Sequence, residues 1–221
     1  MHPHLFIKAP VLALLAVVLS PAGFSQAVAD KDAQAQMKGL PPRATPGDYQ
    51  AQGKAGAVTI AAEFSAHAVP TPEAIYSTEE YVVVELALFG ATDASLKLAQ
   101  SEFSLRVNGK VLPADGFAKT FPSLKDPEWE PPASASKAGK TSVGTGGGNQ
   151  NDPPPSPPKM PFELKRAMQQ RVQKAALPEG DRALPVAGLL FFNYHGKADS
   201  IRALELVYDG AGGKASLALH P

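Results

Sequence analysis

Beyond the first few residues, histidine is confined to His67, His195 and His220, in three separate segments. A zinc site draws its ligands from His and Cys at short, regular spacings. No two of these histidines stand four apart, and the chain holds no cysteine, so no metal site is expected. Ala138-Gly-Lys-Thr141 is similar to the end of a phosphate-binding loop, but the glycine that motif needs upstream is Ser134 here. Its flanks are Pro-rich rather than strand and helix, and Gly144–Gly148 fails as a dinucleotide fingerprint for the same reason. No serine sits in a G-x-S-x-G elbow. No cofactor is expected and the chain reads as a non-enzyme, with a hydrolase of unrecognised type the least favoured option.

Acidic residues pair at Glu79-Glu80 and at Glu128/Glu130, the latter around Trp129. A glycosidase needs two carboxylates across an aromatic-lined cleft, and Trp129 is the sole tryptophan, set among prolines. The more fitting chemistry is contact: Trp129, with Lys125 and Asp126 just before it, could stack on a sugar or anchor a partner. The competing reading packs Trp129 over a sheet edge, where it fixes the root of a loop.

Formal charge is zero, from 21 basic and 21 acidic residues. Phosphate backbones select a basic excess, so nucleic acid is not an expected partner. The N-terminus reads as an export signal, residues 1–29: a weakly basic start, the apolar run Val11–Leu19, and a small-x-small ending at Ala27 and Ala29. That run is about half the ~20 residues a spanning helix requires. The expectation is an exported protein, periplasmic or secreted, with no transmembrane segment once mature. Lack of cysteine excludes a disulfide framework and, on this reading, a lipid-modified N-terminus.

These residues need elements to position them. Residues 30–54 are polar and interrupted by prolines, which predicts a disordered leader. From Ala57 the pattern turns to period two: Val58, Ile60, Ala62 and Phe64 share one face. Tyr81–Phe89 is rich in β-branched residues and predicts a central strand. Phe103, Leu105 and Val107 alternate with polar residues and lead into Asn108-Gly109, a strong hairpin signal, with Lys110–Leu112 as the return strand. Residues 131–160 form a Gly/Pro-rich insertion that cannot build a core. A helix follows over residues 161–177, its stripe formed by Leu164, Met168, Val172 and Ala175/Ala176, with Lys165, Arg166, Arg171 and Lys174 mainly off it. That helix is expected to pack on the sheet, although its basic face would also suit a membrane surface or a partner. Gly188–Tyr194 predicts a strand buried on both faces, and Ala203–Tyr208 and Ala215–Leu219 close the chain as a pair. The expected fold is mainly β: an immunoglobulin-like antiparallel β-sandwich of about seven strands over residues 55–221, with one inserted helix and a long disordered loop.

With those strands placed, the chain resembles the immunoglobulin-like domains of unknown function found in exported bacterial envelope proteins and antigens. The resemblance lies in Tyr81–Phe89, in Phe103-Ser-Leu-Arg-Val-Asn-Gly-Lys110, and in the terminal segments Gly188–Tyr194 and Ile201–Leu219. More narrowly, Ser123–Pro132 and Leu177–Pro185 are similar to stretches of uncharacterised exported proteins from soil-type bacteria. The resemblance implies fold and location, and carries no functional residue across. The expected role is that of an exported module binding a protein or envelope component through its loops. The alternative is a purely structural or assembly role in the envelope.

Overall fold

The computed structural model describes residues 39–129 and 159–221. The expected signal peptide, residues 30–38 of the leader and residues 131–158 of the insertion lie outside the described residues. The described chain opens with β1 (Ala51–Ala55), β2 (Val58–Phe64), β3 (Ala68–Pro70), β4 (Ile75–Thr78) and β5 (Tyr81–Phe89). It continues through β6 (Ser95–Leu98), β7 (Phe103–Val107), β8 (Lys110–Asp115) and β9 (Leu124–Lys125). After the insertion come α1 (Phe162–Ala175), β10 (Gly180–Ala183), β11 (Val186–Asn193), β12 (Leu204–Gly210) and β13 (Gly213–Leu219).

Eight of the strands form one antiparallel sheet in the order β1-β2-β5-β11-β8-β7-β12-β13. The sheet curls until its ends approach: a Cβ added at Gly53 of β1 would touch the Leu217 side chain of β13 at 3.4 Å. At the same seam the Gln50 side chain donates from Nε2 to the His220 carbonyl at 2.8 Å. Turn chemistry sets the registers. Asn108 and Gly109 both take positive φ, 50° and 87°, so Val107 pairs with Lys110 across a two-residue turn, as the sequence leads one to expect.

The period-two pattern becomes an enclosed core. Ile60, Val84, Leu86, Phe103, Leu105, Leu190, Phe192, Leu206, Tyr208 and Leu217 point inward from six strands and pack as one cluster with Leu177. β5 and β11 are buried on their other face as well. There Val83, Leu189 and Phe191 meet Val69, Tyr76 and Leu124 from the β3-β4-β9 sheet, and Met168, Val172 and Ala175 from α1. The helix thus covers the outside of the sheet's central pair.

α1 ends two residues before the sequence pattern suggests. Ala176 leaves the helix to bridge Leu189 in parallel, and the Leu177 N–H donates to the Leu189 carbonyl at 3.0 Å. β11 meets β8 over only two residue pairs, Phe191–Asp115 and Phe192–Ala114, so this edge of β11 is otherwise open. The segment 176–177 occupies the opening, and the Leu177 side chain, 2% exposed, joins the inner core. Glycine at 188 makes the approach possible, since a Cβ there would lie 2.4 Å from the Leu177 Cα.

Residues 39–54 differ from the expected leader. Ala61, Ala87 and Ala187 stand in register across β2, β5 and β11 and form a flat floor on which Tyr49 is buried, edge-on to Phe89. Beside that floor, Glu63 and Glu85 face each other across β2 and β5. Like charges in that position repel, and Arg43 relieves them. Its Nε and Nη2 donate to the two Glu85 carboxylate oxygens at 3.2 and 3.0 Å, while its Nη1 bonds Glu63 and donates to the Asp48 carbonyl at 2.6 Å. The guanidinium also lies 4.6 Å from the centre of the Tyr49 ring, whose hydroxyl accepts the Arg43 N–H at 3.0 Å. A polar composition signals disorder when it has nothing to bury or pair with; here a single Arg and a single Tyr supply both.

Two stability predictions follow from these contacts. Leu177→Ala should cost about 2–5 kcal/mol in urea unfolding, and Gly188→Ala a similar amount because backbone must move. An unchanged midpoint for both variants would mean that the 176–177 segment is not seated in the sheet. Arg43→Ala should cost about 1–2 kcal/mol, the ion-pair share being reduced by solvent at its partly exposed rim. Arg43→Lys should recover little, because an ammonium cannot reproduce the fork.

Candidate functional site

The three residues singled out as partner contacts lie together at the end of β9 and in the turn that follows it. Lys125 is exposed, and its Nζ donates to Glu79 Oε1 at 2.5 Å. Asp126 accepts the Glu128 N–H on Oδ1 at 3.0 Å, and its carbonyl accepts the Trp129 N–H at 3.2 Å. Its carboxylate therefore shapes the turn. Trp129 is half-buried at the described end of this segment.

Leu124, one residue earlier, closes the outer core and also walls a hollow of about 360 Å³, completed by Lys159, Met160, Phe162, Lys165 and Met168. α1 buries Met168, Val172 and Ala175, as its stripe predicts, but its opening residues project past the sheet. Leu164, read as part of the stripe, is therefore half-exposed, and Phe162 is 73% exposed. Of the basic residues off the stripe, Arg171 is used internally and donates to the Tyr76 hydroxyl at 2.8 Å. The result is an apolar ledge with lysines on its rim, at the point where the described chain resumes after the insertion.

A second hollow gathers residues the sequence keeps far apart. The ends of β2, β11 and β13 reach the same end of the sheet, so His67, His195 and His220 converge there. His67 and His195 line a hollow of about 490 Å³ with Thr78, Glu79, Lys197 and Asp199. Asp199 also borders an adjoining hollow of about 710 Å³ that holds Phe64, Arg202 and His220. No sequence spacing announces this convergence; only strand order does. Among the described residues no three His, Asp or Glu side chains gather closely enough to hold a metal ion. The two histidine rings and the paired Glu79–Lys125 give this end a mixed charge rather than a field of one sign.

The hydrogen bond and charge of Lys125 hold the Glu79 carboxyl below the usual carboxylate range. Elsewhere, burial pushes the Tyr49 and Tyr208 phenols up.

Comparison with known proteins finds no matching family model, no significantly similar curated protein and no significantly similar solved structure.

Replacing Lys125 with Met should raise the Glu79 titration midpoint, as read from its side-chain carboxyl resonance. The sign follows from the lowered folded value: the pair is intact above the carboxylate range and lost as pH falls through it. Because both groups stand in solvent, added salt should produce most of the same rise in the unmodified protein. A midpoint indifferent to both changes would show that the pair does not persist in solution.

Proposed function

We propose that this protein is an exported, non-enzymatic module of the immunoglobulin-like β-sandwich kind, and that it binds a protein partner at the ledge formed by Leu124, Met160, Phe162 and Met168. The two-pair junction between β11 and β8 supports reading the curved sheet as two facing layers, β1-β2-β5-β11 and β8-β7-β12-β13. The location rests on the N-terminal pattern of basic start, apolar run and small-x-small ending.

One observation carries the binding site: Phe162 stands in solvent beside an apolar hollow while the rest of its helix is anchored to the sheet. Exposed aromatic surface next to a concavity is costly in water and is the form that interface anchors take. Lys159 and Lys165 on the rim favour a segment that offers both an apolar side chain and carboxylates. Trp129, half-buried at the end of the neighbouring turn, extends the same surface in this reading. The sandwich serves as the rigid support.

The test uses a photo-crosslinking residue at position 164 in the full chain, expressed in its own cells. A defined partner should be captured, and Phe162→Ala should weaken that purified partner's binding at least tenfold, with thermal unfolding unchanged. Equal binding by Phe162→Ala and Trp129→Ala would rule the ledge out. In that event the structural or assembly role becomes the better reading.

A further inference from the structure

Among the described residues, the ring nitrogens of His67 meet two backbone carbonyl oxygens and no hydrogen-bond donor. Nδ1 lies 2.8 Å from the Tyr81 carbonyl and Nε2 lies 3.1 Å from the Gly196 carbonyl. A neutral imidazole carries one N–H, so it can satisfy one of these oxygens and must turn a lone pair toward the other. The imidazolium donates to both. We propose that His67 is a proton-operated latch that fastens the loop 194–200 across the end of the sheet when protonated and releases it when neutral.

The two carbonyls belong to different kinds of structure. Tyr81 opens β5, and the turn that carries His67 is pinned to the same region by Val83 N–H to the Ala66 carbonyl at 2.8 Å and Thr78 N–H to the His67 carbonyl at 3.0 Å. The ring's position is therefore set by the sheet. The loop, by contrast, is held at its ends: Tyr194 N–H donates to the Glu80 carbonyl at 2.8 Å, and Asn108 Nδ2 donates to the Ser200 carbonyl at 3.1 Å. Between these ties, Gly196 is drawn to the sheet by His67. Its lack of a side chain lets the Tyr194 ring pack on it, since a Cβ would stand 2.5 Å from that ring.

The groups that share the hollow with His67 are of mixed charge. Glu79, from the turn before β5, and Asp199, from the loop, bring carboxylates to it, while Lys197 and His195, also from the loop, bring an ammonium and a second imidazole. Glu79 is itself engaged by Lys125 of β9. The same loop walls both hollows at this end, through Ala198 and Asp199. Fastening it closes one side of each.

The experiment is NMR on the full chain between about pH 8 and about pH 5, the interval in which histidine changes charge. At the lower pH both His67 ring nitrogens should read as hydrogen-bonded N–H, and the Gly196 and Tyr81 carbonyl carbons should shift with the His67 midpoint. Over the same interval the backbone order parameters of residues 195–197 should rise from below about 0.6 to about 0.85. His195→Gln should keep this behaviour, whereas His67→Gln should show order parameters that do not change with pH. If His67 keeps a bare ring nitrogen at the lower pH, or titrates while residues 195–197 stay equally ordered, there is no latch. Those measurements on the unmodified protein decide the matter even if His67→Gln folds poorly.

Discussion

The pairing of β5 with β11 is the constraint on which the other elements depend. Eight consecutive register pairs join them, and both strands bury both faces. A strand pair without a wet face needs a layer on each side. On the inner side the sheet provides that layer by curling over itself; on the outer side it has to be imported. α1, the β3-β4-β9 sheet and the Tyr49 segment divide the outer face among them. With no cysteine in the chain, this burial holds the fold together without covalent help.

Segments long enough to show a period were readable from the residues. β5, β7, β11 and β12 each run for five or more residues, and the tight turn at Asn108-Gly109 fixes its hairpin by backbone geometry alone. β3, β4, β6, β9 and β10 run for two to four residues, too short for alternation to register against composition. This is why the chain has more strands than the seven or so its pattern suggests. The stripe of α1 identifies a helix but not how far the sheet extends beneath it, so Leu164 reads as core and stands half-exposed. Leu177 reads from the sequence only as the last residue of the expected helix; its place in the inner core depends on a gap between β8 and β11 that only the tertiary structure creates.

The same logic separates the parts of the candidate sites. Trp129, Lys125 and Asp126 are neighbours in sequence and remain neighbours at the end of β9 and its following turn. The ledge beside Leu124 joins residues on either side of the insertion, and the histidine end joins three strand termini, so neither has a local signature. Arg43 is the clearest case. An isolated arginine in a proline-broken stretch gives no hint that its partners, Glu63 and Glu85, lie 20 and 42 residues away. What the sequence does hold is their shared position in register on the outer face of β2 and β5, visible only after the strands are aligned.

The strand order also interleaves the two parts of the chain that flank the insertion. β11 lies between β5 and β8, and β12 pairs with β7, so strands from after residue 159 alternate in space with strands from before residue 129. Leu177 adds a peg through the sheet at the same junction. A backbone cut between residues 130 and 158 therefore separates two chains in covalent terms only, since each has β-edges that the other fills. The arrangement thus places a nick between those residues where it leaves an intact body. It also makes that stretch a place where sequence can be lengthened, exchanged or lost without reopening the core.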